Sequence, residues 1–189
     1  MSSSLGDRGL RERFERLVHD YHGKIFNFVY YMLGDREEAA DLTQDVFVRA
    51  YAAFASFRGE AHVYTWLSRI ARNLAVNRAK RLQRERRAHS TPAQEEGEPL
   101  EPITGQPQPP VGEALESEEV QRKVRIALNA LPPELKEVIV LRDLQGFSYE
   151  EMAQIMSCSL AALKSRLFRA RGALRDRLAP LLGGGEGHD

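Results

Sequence analysis

Apolar residues recur every third or fourth position from Phe14 onward, as Phe14, Leu17, Val18, Tyr21, Ile25, Phe28 and Met32. That spacing lines them along one stripe of an α-helix, and no stretch shows the two-residue alternation of a strand. Gly34 suits a helix end and Asp35 the start of the next. The second helix, to about Phe54, turns Leu42, Val46, Ala50 and Phe54 inward. After a break at Phe57-Arg58-Gly59-Glu60, a third helix takes Val63, Leu67, Ile70 and Leu74 as its stripe, with Arg69, Asn73, Val76 and Lys80 on the opposite face. Residues 10–87 form a first helical block.

The period then stops. Residues 88–116 contain Pro92, Pro99, Pro102, Pro107, Pro109 and Pro110 among repeated Gly and Glu, and read as a flexible acidic linker with too little apolar content for a core. A second block over 117–182 restores the period with Leu128, Leu131, Leu135, Val138, Ile139, Leu141 and Leu144. Pro132-Pro133 suits the first turn of a helix and Gly146 its end. Ser148 and Glu151 have capping-box spacing. Tyr149, Met152, Ala153 and Met156 would pack the helix they open, and Leu160, Leu163, Leu167 and Leu174 the next. Two helices with so short a turn between them form a helix-turn-helix. The tail, 183–189, reads as disordered. The expected fold is all-α: two small helical domains joined by a flexible linker, the C-terminal one a helix-turn-helix.

Charge changes this picture by its distribution. Lys plus Arg and Asp plus Glu each total 27, so the sum is zero. Yet 69–87 is strongly basic, 92–119 acidic without a Lys or Arg, and the last helices basic again, which points to polyanion contacts hidden by a neutral total. Cys158 is the only cysteine, so no disulfide forms within the chain and a reducing compartment is expected. No apolar leader or membrane-length apolar run is evident, and the expected location is the cytoplasm. His19 and His22 lie one turn apart without a Cys or acidic partner at ligand spacing; neither a metal nor another cofactor is expected.

The candidate chemistry is recognition. Lys164, Ser165, Arg166, Phe168 and Arg169 lie largely outside the leucine stripe of the last helix, free to meet phosphates and base edges. An Arg–guanine pair in the major groove discriminates by about 1–3 kcal/mol. The third helix interleaves cations and amides with aromatics, a composition that tracks a backbone and stacks unpaired bases. Tyr64 and Trp66 there fit either such a surface or the core. In the second helix, Asp41, Gln44 and Asp45 stand at i, i+3 and i+4. An acidic patch is poorly placed for DNA and suits a protein partner.

Together these segments resemble the extracytoplasmic-function group of bacterial RNA polymerase sigma factors. The resemblance is carried by GDREEAADLTQDVFVRAY, FRGEAHVYTWLSRIARNLAVNRAKR and LPPELKEVIVLRDLQGFSYEEMAQIMSCSLAALKSRLFRARGALRDRL, in the family's order. It implies that the first block is sigma region 2 and the second region 4, and that the chain is a non-catalytic initiation subunit. Asp41, Gln44 and Asp45 match the motif that docks on the polymerase's largest subunit. Phe57 to Val63, including His62, match the loop that holds a base flipped from the −10 element, with Tyr64, Trp66 and Asn73 beside it. Arg69, Asn77, Arg78 and Lys80 would hold the melted strand. Lys164, Ser165, Arg166, Phe168 and Arg169 match the helix that reads the −35 element. The implied partners are core RNA polymerase, promoter DNA and an anti-sigma factor, often membrane-tethered.

The turn departs from the family pattern. Gly-Cys-Pro followed by Val-Gly-Thr-Val is common there, whereas this chain has Ser157-Cys158-Ser159 and Leu160-Ala161-Ala162-Leu163. A left-handed turn residue other than Gly costs about 1 kcal/mol. An ordinary helix-turn-helix regulator would bind promoter DNA without polymerase. A helical adaptor would be insensitive to salt in the presence of DNA.

Overall fold

The computed structural model describes residues 3–57, 62–89 and 111–182. Within them the chain is helical and contains no strand: α1 (Ser3–Leu33), α2 (Arg36–Phe54), α3 (Val63–His89), α4 (Val111–Asn129), α5 (Pro133–Ile139) continuing into a π-helical turn (Val140–Leu144), α6 (Tyr149–Met156) and α7 (Leu160–Leu182). The expected linker shortens, because Ala88 and His89 extend α3 and 111–116 open α4. The middle of that segment, the tail 183–189 and residues 58–61 of the break before α3 lie outside the described residues.

Local chemistry sets the boundaries. Gly34 ends α1 at φ +80°, and the Asp35 carboxylate accepts from Glu38 N–H at 2.8 Å to start α2. Ser148 and Glu151 close a reciprocal capping box, each side chain accepting the other's backbone N–H, at 3.2 and 2.8 Å. Gly146, at φ +76°, sits in the turn before it. Ser157 ends α6 in the left-handed region (φ 52°, ψ 49°), and Cys158 N–H reaches back to Ala153 C=O at 3.1 Å. The left-handed turn conformation is therefore held without a glycine. Ser159, standing where proline is common, accepts from Ala162 N–H at 3.2 Å and caps α7.

In the first block α1, α2 and α3 pack on one another around Ile25, Phe28, Met32, Val46 and Leu67. Burying such a side chain contributes about 1.5–3 kcal/mol. Phe14 ties the far end together, its ring set edge-on to Phe47, Tyr51 and Phe54 at 5.0–6.5 Å between centroids. The second block gathers α4 to α7 around Leu128, Leu141, Met152, Ile155 and Leu163.

The two cores meet. Helices α5 and α6 pack on α3, and α4, α5 and the π-turn pack on α1. This contact rotates the buried face of α3 away from its expected stripe. Leu67, Ala71, Ala75 and Ala79 are buried, and their four-residue spacing makes a ridge of small side chains that admits close neighbours. Ile70 and Leu74 fall to the half-buried margin. Val76, expected on the polar face, is buried because helices of both blocks cover α3. Leu144 and Leu160, expected inside, are exposed; each stands at the end of its element, beyond the buried stripe.

Candidate nucleic-acid interface

On α2 the spacing of Asp41, Gln44 and Asp45 does place all three side chains on an exposed face. Val48, one turn further, extends that face with an apolar residue left 68% exposed. Sequence reasoning passed over it, although i, i+4 and i+7 from Gln44, Asp41 and its neighbours lead to it. The α2 face is thus acidic with an apolar end, and the Leu42-Val46-Ala50-Phe54 stripe beneath it holds it rigid.

The exposed ridge of α3 runs through Arg69, Asn73, Asn77 and Arg81, with Lys80 half-buried beside it and paired to Glu134 at 2.8 Å. Asn73 Oδ1 accepts from Arg72 at 3.2 Å. Arg78 turns back to Glu38 on α2, Nε to Oε2 at 2.6 Å, a half-screened pair. At the start of α3 the His62 ring Nδ1 accepts from Tyr64 N–H at 3.3 Å, so His62 caps the helix. Trp66 is half-buried, tilted over Phe57 at 4.8 Å with Phe54 behind, which puts both expected aromatics in one cluster at the edge of the break.

Tyr64 goes elsewhere. Its ring stacks on Tyr21 at 5.2 Å and on Phe147 of the second block at 4.8 Å, and its hydroxyl donates to Gln145 Oε1 at 2.6 Å. Burial pushes the phenol up to about 12. The π-turn makes this possible: Gln145 N–H closes on Val140 C=O at 2.9 Å, and Arg142 donates to Phe147 C=O at 2.7 Å, which fixes Gln145 and Phe147 toward α3.

On α7, Lys164, Ser165, Phe168 and Arg169 are exposed, and Phe168 is so at 81%. Lys164, Phe168 and Arg169 line one open groove with Tyr149, Arg171 and Arg175. Lys164 and Arg142 stand over the Tyr149 ring at 5.9 and 4.9 Å. The spacing Lys164, Phe168, Arg171, Arg175 shows that the basic face runs two turns beyond the expected residues. A cationic groove with a protruding aromatic can meet phosphates and press on a base edge. Arg166 is not in this groove, because Glu137 holds it at 3.2 Å.

Glu137 is the residue that sequence reasoning missed most completely. Its side chain is fully buried and accepts from Arg72 of α3 at 2.6 and 2.9 Å as well as from Arg166. The fork of Arg72 meets both carboxylate oxygens, which supports an acid in the interior. Beside it Lys136, 4% exposed, donates to Met32 C=O at 3.0 Å and to Asn129 Oδ1 at 2.7 Å. It thereby caps the last turn of α1 from the other block. Loss of water lowers its amine to about 7, with the charge of Arg86 acting in the same direction.

Among the described residues no cluster of His, Cys, Asp or Glu could hold a metal ion, and no helix is long and apolar enough to cross a membrane.

Comparison with known proteins adds the following. The family models Sigma-70 region 2 and Sigma-70, region 4 match residues 17–85 and 121–174. The RNA polymerase sigma-H factor of Pseudomonas aeruginosa is 34% identical over 93% of this chain and 91% of its own length. The ECF RNA polymerase sigma-E factor of Escherichia coli K12 is 37% identical over 96% and 99%. Among solved structures, the sigma factor RpoE in complex with the anti-sigma factor NepR from Bartonella quintana is 27% identical with a TM-score of 0.64, covering 93% of this chain and 99% of that one. CnrH in complex with the cytosolic domain of CnrY shares the fold at 24% identity and a TM-score of 0.61, covering 93% and 91%.

Proposed function

Because the chain belongs to the extracytoplasmic-function RNA polymerase sigma factors, we propose that its α2 face docks on core polymerase while α3 and α7 grip the promoter at two places. As a member it is a non-catalytic initiation subunit, which directs polymerase to promoters; the chemistry of RNA synthesis belongs to the polymerase. In this reading 10–87 acts as region 2, 117–182 as region 4, and 88–116 connects them. The observation that carries it is the separation of charge by element: an exposed acidic face on α2, and exposed basic faces on α3 and α7.

Each face has a task that its chemistry suits. Asp41, Gln44 and Asp45 bind a basic groove of the polymerase, with Val48 as an apolar anchor. Phe57, His62, Tyr64, Trp66 and Asn73 hold the −10 element, whose bases must leave the stack. Unpairing costs a few kcal/mol, which stacking of about 1–3 kcal/mol per base offsets. Arg69, Asn77, Arg78 and Lys80 neutralise the melted strand's phosphates. Lys164, Ser165, Phe168 and Arg169 read the −35 element as duplex, and Arg166 stands beside them on its ion pair with Glu137. The chain works in the cytoplasm, in a stress or envelope response, and an anti-sigma factor (membrane-bound in some systems) withholds it. A complex of a similar sigma factor with an anti-sigma factor supports that last point.

In vitro transcription with core polymerase on genomic fragments tests the function. Discrete start sites should appear only when the chain is added. The same transcripts from core enzyme alone, or none with both, would overturn it.

A further inference from the structure

We propose that Glu137 is a positioning residue that sets what the last helix reads: it holds Arg166 off the duplex, so that Lys164, Ser165, Phe168 and Arg169 meet the −35 element without it. This rests on the sigma-factor reading above and names a determinant of its −35 specificity. In the sequence Arg166 stands amid the readers, two residues after Lys164 and three before Arg169. The fold parts it from them. At about 100° per residue it lies about 160° around α7 from Phe168, on the side of the buried Leu163 and Ala170. Lys164, Phe168 and Arg169 line the open groove, and Arg166 does not.

Glu137 explains where Arg166 goes. Its carboxylate is fully buried on α5, which packs directly on α7, and Arg166 Nη1 donates to its Oε1 at 3.2 Å. Both residues belong to the second block, so this pair is part of the helix-turn-helix domain itself. Arg72 shares the carboxylate across the seam between the blocks, at 2.6 Å to the other oxygen. A buried acid is tolerated only while it is paired, and an arginine that leaves it for a phosphate strips it of a partner. Arg169 is exposed, with no ion-pair partner among the described residues, and is free to bind guanine or phosphate. One acid on α5 thus gives two arginines one turn apart on α7 different work.

The test is made on the full chain with core polymerase, on a promoter recovered by the transcription assay above and on every single-base-pair change across its −35 element. Arg166→Gln should leave affinity and base preference within twofold of wild type. Glu137→Met removes both acceptors at similar volume and releases Arg166. It should raise affinity at least threefold and change the preferred base pair at one −35 position. Adding Arg166→Gln to that variant should abolish both changes. Should Glu137→Met lose helicity, Glu137→Gln is held to the same readouts. A loss beyond twofold in Arg166→Gln alone overturns the proposal, because Arg166 then reads DNA in the native chain. So does an unchanged base preference in the Glu137 variant, or a gain that survives removal of Arg166 and so belongs to Arg72. If wild type yields no start sites, the sigma-factor reading fails, and the chain alone on mixed-sequence duplex at low salt decides the role of Glu137. There Glu137→Met should steepen the dependence of log affinity on log salt by about 0.9, one phosphate contact, only while Arg166 is present. An unchanged slope overturns the proposal.

Discussion

The first block carries two polar faces, and the fold treats them oppositely. The acidic face of α2 is exposed along Asp41, Gln44, Asp45 and Val48, whereas cations of α3 are drawn onto acids: Arg72 to Glu137, Arg78 to Glu38, Lys80 to Glu134. The difference shows how a chain with no net charge leaves its acidic face free while it pairs part of its basic one. Reversing the sign of the open face should break the comparison most severely. Asp45→Arg places a like charge against a basic partner at a cost of several kcal/mol. Core-polymerase binding, followed by fluorescence anisotropy, should vanish while the melting temperature stays within a degree or two. Unchanged affinity would remove the docking assignment.

The paired face fails differently, because its anchor is also structural. Glu137→Ala leaves Arg72 and Arg166 without their buried acceptor, and breaking such a pair costs about 3–5 kcal/mol. The urea midpoint should fall accordingly. Arg72→Met removes only the side of the triad that crosses the seam. It should cost less and separate the blocks, and a loss as large as that of Glu137→Ala would mean that the seam and the second block's own stability are inseparable.

These contrasts also explain what could be read from sequence. The caps were legible because they depend on neighbours: Asp35 with Glu38, Ser148 with Glu151, and a left-handed Ser157 where the family favours glycine. The α2 stripe was legible because a single layer covers it. The face of α3 was misjudged at Val76 because helices of both blocks pack on α3, and those of the second block lie far off in the chain. Glu137 and Lys136 gave no signal at all. Charged residues are almost never fully buried unless paired, and their partners Arg72 and Met32 lie on another block. That Asp41, Gln44 and Asp45 share one exposed face was legible from i, i+3 and i+4 spacing, though not how far the α7 groove extends through Arg171 and Arg175.

Smaller effects sharpen the contrast between grips. Arg169→Ala, on the exposed α7 face, should weaken binding at the −35 element by about 1–3 kcal/mol and relax discrimination at one position. Unaffected run-off transcription from a cognate promoter would show that the recognition-helix register is wrong. For the seam, pH is the probe. Lys136 titrates at about 7 when buried and near 10.5 when freed, so the native chain binds fewer protons than the unfolded one between those values. Stability must then rise with pH across that window, by at most about 1.4 kcal/mol per unit. Tyr64 opposes this only above about 10, where the unfolded phenol begins to ionise. Melting temperatures at pH 7 and 9 should therefore increase for wild type and not for Lys136→Met. Equal slopes would assign the pH dependence to another group.

The smallest effect separates the turn from the groove it supports. Ser157 holds φ 52° without help from a missing Cβ, and glycine there would relieve about 1 kcal/mol of backbone strain. Part of that gain is offset by the greater freedom of glycine in the unfolded chain. Ser157→Gly should therefore raise the melting temperature by no more than a few degrees. Since Cys158 N–H already closes on Ala153 and Ser159 already caps α7, the angle between α6 and α7 should not change. Affinity for −35 duplex should then stay within twofold of wild type. A large gain in affinity would mean that the serine turn tilts the reading helix away from its groove, and that this chain's departure from the family pattern sets its promoter preference through geometry as well as through side chains.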